Sequence, residues 1–181
     1  RLAEWPVNHC VKVLAPLRTD DPEDLIAHHE TSLVDLADAC RQTGHEFLLE
    51  IINGRAGKPA DPDQIHTLMV RMYELGVMPD WWKLEPIAEA AFWARAGDIV
   101  RAHDPHLQGI IVLGKEMPDE QLVKVLGMAR GEKLVRGFAI GRTIFSDAAR
   151  QWFAGDIDDA AATDMMSGVY RRLIAAWDAA G

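Results

Sequence analysis

The sequence predicts a parallel α/β fold, and three observations carry that prediction. Five short apolar runs occur, helical segments with recognisable ends lie between them, and the spacing is that of repeated βα units. The runs are His9–Leu14 (HCVKVL), Glu46–Ile52 (EFLLEII), Trp81–Leu84 (WWKL), Gly109–Leu113 (GIIVL) and Leu134–Ile140 (LVRGFAI). Most are near-continuous, as in strands covered on both faces. Their onsets are separated by 37, 35, 28 and 25 residues, room each time for a strand, a helix and two turns.

The intervening segments carry helix signals. Asp21-Pro22 reads as a cap followed by proline at the first helical position, and Gly44 as the stop. Leu25, His29, Leu33, Leu36 and Cys40 form the inward stripe expected of that helix. Asp61-Pro62 opens a second helix, with Ile65, Leu68, Met69, Met72 and Leu75 buried and Gly76 after its end. Pro86 is expected to begin a third and Pro118 a fourth, and two more follow over Thr143–Ala154 and Asp158–Ala179.

Composition narrows the function. The 181 residues suffice for one domain, with 49% hydrophobic and 26% charged residues, an ordinary globular balance. Acids outnumber bases 28 to 19, a net charge of −9 that disfavours nucleic acid and anionic lipid as partners. The longest uncharged stretch is ten residues, Pro105–Gly114, too short for a membrane span. The two cysteines, Cys10 and Cys40, lack CxxC spacing, so a reducing cytoplasm is the expected compartment. Because the first residue is Arg1 and not Met, a longer polypeptide is expected.

Two architectures compete at this point: an open doubly wound sheet, and a (β/α)₈ barrel of which five units are present. No GxGxxG turn follows the first run, which weakens the dinucleotide-binding open sheet. A whole barrel needs about 250 residues, so this chain would be about three units short.

Three charged residues interrupt otherwise apolar strands: Lys12, Glu50 and Lys83. A charge in such a strand is expensive unless paired or employed. Glu85 shares the parity of Lys83 and would face the same way, nearer the rim. Burial and a neighbouring cation favour the neutral form of a lysine amine, which attacks carbonyls, and a carboxylate beside it can move the protons. The cluster therefore suits Schiff-base chemistry, while a structural ion pair accounts equally well for the spacing. Gly114 ends the fourth run, and the fifth leads through Gly141 and Arg142 into a helix. Backbone N–H groups, a positive helix end and a guanidinium there suit a phosphate, although a tight turn with a surface arginine reads the same way. No HExxH, Cys/His cluster or GxSxG elbow occurs, so metal-dependent aldolase and serine hydrolase chemistry find no support.

The succession VKVLAPLRTDDP, FLLEII, PDWWKLEP, GIIVLG and VRGFAIGRTIFSDAARQWFAGDID resembles the C-terminal domain of bacterial bifunctional proteins of myo-inositol catabolism. In those proteins a ribokinase-like 5-dehydro-2-deoxygluconokinase precedes a domain similar to class I tagatose-bisphosphate aldolases. The resemblance covers essentially residues 1–181 and is most specific in its last block, then in WWKLEP. It implies a (β/α)₈ TIM barrel to which this chain supplies strands four to eight, the first three preceding Arg1. It matches Lys83 to the Schiff-base lysine, Glu50 to the acid–base glutamate and Lys12 to an auxiliary lysine. Gly114, Gly141 and Arg142 match the phosphate-binding strand ends, and Glu85 and Arg18 are expected to bind the substrate or its phosphate as well. Where the family usually has aromatic residues after the first lysine, this chain has Pro16-Leu17 and then Arg18, so the substrate wall differs.

The implied activity is cleavage of 6-phospho-5-dehydro-2-deoxygluconate to dihydroxyacetone phosphate and malonate semialdehyde. The expected partners are that phosphorylated sugar-acid substrate, the rest of the barrel, a fused sugar kinase and further copies of the chain, with no metal or cofactor. The alternative is a non-catalytic phosphosugar-binding or stabilising domain attached to the kinase.

Overall fold

A computed structural model describes residues 1–180. Its strands are β1 (Val11–Pro16), β2 (Phe47–Ile52), β3 (Trp81–Leu84), β4 (Gly109–Leu113) and β5 (Val135–Ala139). They pair only in parallel, in the order β1-β2-β3-β4-β5. The helices are α1 (Glu23–Thr43), α2 (Pro62–Glu74), α3 (Ala90–His103), α4 (Asp119–Arg130), α5 (Arg142–Ala154) and α6 (Asp159–Ala179). Every crossover reaches the adjacent strand in the same direction, without the reversal of order that defines a doubly wound sheet. The fold is thus five consecutive βα units of barrel type, and the open-sheet alternative falls.

Side chains alternate across each strand. Val11, Ala15, Phe47, Leu49, Ile51, Trp82, Leu84, Ile110, Val112 and Val135 are buried in one core with the apolar helix faces. Lys12, Leu14, Glu50 and Lys83 have the other parity, which turns them to the opposite face of the sheet. In β5 the register shifts: Ile110 pairs with Val135 but Ile111 pairs with Gly137, leaving Arg136 as a bulge residue. That extra residue lets Val135 and Phe138, three apart, both face the helices, and Phe138 meets Tyr170 and Trp177 of α6 edge-on.

Local chemistry sets the helix ends. The Asp61 side chain accepts from the N–H groups of Asp63 and Gln64, with Pro62 at the first helical position. Asp158 caps α6 by accepting from Ala161 N–H. Gly44 ends α1 at φ 74°, where a side chain would be strained.

Several expected boundaries shift. Asp21 does not cap α1: its carboxylate accepts instead from Arg18 N–H and the Arg55 guanidinium. In α1 Leu33 and Cys40 are buried and Leu36 packs on the core as expected, joined by Ile26 and Ala37, while Leu25 is exposed. The third helix starts at Ala90, because Pro86 and Ile87 belong to a packed turn in which Ile87 N–H donates to Glu85 O and Trp93 Nε1–H to Ile87 O. The first strand runs two residues later than expected, through Pro16; β1 pairs on one side only, so the missing proline N–H breaks no ladder. Among the described residues no helix is long and apolar enough to cross a membrane.

Candidate active site

Glu50 of β2 and Lys83 of β3 are register partners, and Lys12 of β1 sits diagonally beside Glu50, opposite Leu48. The common parity of the three therefore gathers them on the face away from the helices. A single oxygen, Glu50 Oε2, accepts from Lys83 Nζ at 3.2 Å and forms an ion pair with Lys12 Nζ at 2.5 Å. The side chains of Glu50 and Lys83 are 4% and 14% exposed, and that of Lys12 is 43% exposed. The result is a buried carboxylate held between two ammonium groups, one enclosed and one open to solvent. A sheltered amine with a proton acceptor within hydrogen-bond reach is the arrangement required of an amine nucleophile.

Glu85 is two residues beyond Lys83, and its carboxylate is buried at the ends of the strands. Glu85 Oε2 accepts from the backbone N–H groups of Asn53 (2.7 Å) and Gly54 (2.9 Å), while Oε1 pairs with Lys115. Lys115 Nζ also donates to Gly54 O at 2.7 Å. Arg18 is likewise committed inside the protein. Its guanidinium donates to Asp20, to the backbone and side-chain oxygens of Asn53 and to Pro59 O, and it is 6% exposed. Arg55 and Lys58 tie the same loop to Asp21 and Asp20. Burial opposes ionisation of Asp21, but the Arg55 guanidinium and Arg18 N–H hold its carboxyl below the ordinary range.

Gly114 directly follows β4 and closely approaches the residue that follows β5: a Cβ there would lie 2.9 Å from Ile140 Cγ2. Gly141 precedes α5, its carbonyl accepting from the N–H groups of Ile144 and Phe145, with no side chain capping the helix. Arg142 is exposed and its ion-pair partner is Glu116 at 2.5 Å, not a member of the lysine–glutamate cluster. A cleft of about 500 Å³ lies here, lined by Glu116, Asp119, Arg142, Thr143, Ser146 and Arg172 among others. Among the described residues no group of three or more His, Cys, Asp or Glu side chains is placed to hold a metal ion.

The structure thus joins Lys12, Glu50 and Lys83, seats Glu85 and Arg18 in hydrogen-bonded loops, and puts Gly141 and Arg142 at a helix start. Sequence reasoning missed Lys115 and Asn53. Lys115 follows a glycine in a polar turn and reads as a surface residue; only the positive φ angles of Lys115 (49°) and Glu116 (58°) reveal its fixed course. Asn53, directly after β2, carries no such signal.

No curated protein matches the chain. Among solved structures, a Schiff-base-forming fructose-1,6-bisphosphate aldolase superposes with a TM-score of 0.57 at 14% identity. The superposition covers 75% of this chain and 51% of the aldolase, so the chain spans about half the length of the structure it matches. A likeness at that identity carries the fold, a five-unit portion of an aldolase-type barrel. The family described as "Uncharacterized protein conserved in bacteria (DUF2090)" matches residues 1–181, and the chain belongs to that family.

Proposed function

We propose that the chain carries the catalytic face of a class I, Schiff-base aldolase, with 6-phospho-5-dehydro-2-deoxygluconate as substrate. The observation that supports this best is Glu50 Oε2 between the amines of Lys83 and Lys12 on one face of the sheet. In this reading Glu50 takes a proton from Lys83, whose amine then attacks the C5 ketone. Glu50 returns a proton to the carbinolamine hydroxyl, water leaves, and the imine forms. The Glu50 carboxylate, now unprotonated again, takes the C3 hydroxyl proton and the C3–C4 bond breaks. Its electron pair passes into the imine to make an enamine, and malonate semialdehyde departs. Protonation at C4 and hydrolysis of the imine release dihydroxyacetone phosphate and restore Lys83.

The remaining residues have positional roles. Lys12 holds the Glu50 carboxylate and, being the open cation, meets the substrate's anionic end. Gly114, Gly141 and Arg142 receive the phosphate at the start of α5, Arg142 exchanging Glu116 for it. Glu85 and Arg18 shape the rim through the loops they hold. The enzyme would work in the cytoplasm in myo-inositol breakdown, as a homo-oligomer, with a sugar kinase and the other barrel strands in the same polypeptide.

The test supplies the sugar acid to the longest natural polypeptide containing this sequence and follows release of dihydroxyacetone phosphate. Release by the wild type and its loss in Lys83→Met support the assignment. A wild type that binds the sugar acid without cleaving it would make this a binding domain.

A further inference from the structure

A buried carboxylate outside the chemistry described above joins three loops at the mouth of the sheet. Glu85 stands two residues beyond Lys83, and the groups it accepts from, Asn53 N–H and Gly54 N–H, stand three and four residues beyond Glu50. One side chain therefore clamps the ends of β2 and β3 just past the register pair Glu50–Lys83. Its second oxygen pairs with Lys115, brought in from the loop after β4.

That loop is shaped for the purpose. Lys115 and Glu116 both adopt left-handed backbone angles without being glycine, a conformation that persists only where surrounding contacts over-determine it. Gly54 leaves the space the ammonium enters: a Cβ there would lie 2.6 Å from Lys115 Nζ. Lys115 also donates to Gly54 O, so the cation bridges the clamped carboxylate and the backbone it clamps. Without the carboxylate, two backbone donors lose their acceptor, the ammonium keeps only Gly54 O, and the ends of β2 and β3 lose a link just past their last register pair.

We propose that Glu85 is a positioning residue for the Lys83–Glu50 pair and that Lys115 is the cation that holds Glu85 in place. The proposal rests on the Schiff-base reading, because it concerns the separation at which Glu50 serves the Lys83 amine. Proton transfer depends steeply on such separations, and a misplacement of about 1 Å lowers a rate about a hundredfold.

The experiment measures how fast borohydride traps Lys83 with dihydroxyacetone phosphate, across a range of triose phosphate concentrations. It compares wild type, Glu85→Gln, Lys115→Met and Lys115→Arg, each corrected for folded fraction by circular dichroism. The saturating trapping rate should fall about a hundredfold in Glu85→Gln and Lys115→Met, with the half-saturating concentration changed less than about threefold. Lys115→Arg should return to within about threefold of wild type, since a guanidinium restores the charge and the hydrogen bonds. If Glu85→Gln does not fold, the contrast between Lys115→Met and Lys115→Arg decides. Wild-type trapping rates in the folded variants would overturn the positioning role while leaving the Schiff base intact. No adduct in the wild type would overturn both.

Discussion

Replacing Glu50 by glutamine tests whether the three charges act as one unit. The change keeps the shape of the side chain and removes the only negative charge between two ammonium groups. Both amines touch the same oxygen, at 2.5 and 3.2 Å, so they lie less than 6 Å apart. Two like charges about 5 Å apart at an effective dielectric constant of about 20 repel by about 3 kcal/mol. The Lys12 side chain is 43% exposed, and screening by solvent reduces that to about 1–2 kcal/mol. The lost attraction of a nearly buried carboxylate for Lys83 adds to it, so Glu50→Gln should destabilise the fold by about 2–3 kcal/mol. Urea unfolding at pH 7 measures this. The decisive feature is a reversal of sign. Lys12→Met alone should cost about 0.5–1 kcal/mol by removing an attraction. The same change in the Glu50→Gln background should recover about 1 kcal/mol by removing a repulsion. A Glu50→Gln protein within about 0.5 kcal/mol of wild type would refute the reasoning, as would a Lys12→Met change that destabilises both backgrounds alike.

Three further outcomes are expected. Trp82 is fully buried and its indole N–H donates to Tyr73 Oη at 2.7 Å, so Trp82→Ala should lose about 3–5 kcal/mol in the same unfolding assay. Stability should decline on the acid side in two stages, followed by urea unfolding from pH 8 to 3. Burial holds the His66 pKa below its ordinary 6.5, so below that pH the unfolded chain takes up a proton that the folded chain resists. Burial works against ionisation of Asp21 and Glu132, yet their arginine and backbone partners hold both carboxyls below their ordinary 3.8 and 4.5. Their contribution is therefore complete above those values and disappears as the pH falls through the lower folded ones. A Glu132→Gln variant should lose the second stage in part, and His66→Gln the first. Maleimide labelling of the native protein should modify the exposed Cys10, slowly because partial burial and the Glu46 and Asp80 carboxylates hold its thiol above the ordinary range, and leave the buried Cys40 unmodified until the chain unfolds.

The strand cores were legible because their periodicity is strong: Phe47, Leu49 and Ile51 on one face and Glu50 on the other follow directly from alternation. Alternation likewise sets Lys12, Glu50 and Lys83 apart from the apolar positions of their own strands, and the parallel register is what gathers them on one face. Boundaries depended on contacts from elsewhere in the chain. Asp21 and Pro22 have the composition of a helix start, but Arg18 and Arg55 claim the aspartate carboxylate. Pro86 has the composition of a first helical residue, but the turn it occupies is held by Glu85 O and by the indole of Trp93. The bulge at Arg136 is equally silent in sequence, since LVRGFAI offers no sign of which residue leaves the ladder. Most telling is Glu85: parity put it on the right side of β3, yet the N–H groups and the lysine it meets lie about thirty residues away in either direction. Local pattern places a side chain on a face, and tertiary structure chooses its partners.

Everything proposed for this site depends on the Lys83 amine forming an imine. The most direct measurement incubates the protein with dihydroxyacetone phosphate and borohydride, then reads the intact mass and maps the modified peptide. One reduced adduct is expected, located on Lys83 and absent from Lys83→Met. A folded protein that stays unmodified, or carries the adduct on another lysine, would contradict it and leave the Lys12–Glu50–Lys83 cluster as a structural ion triad.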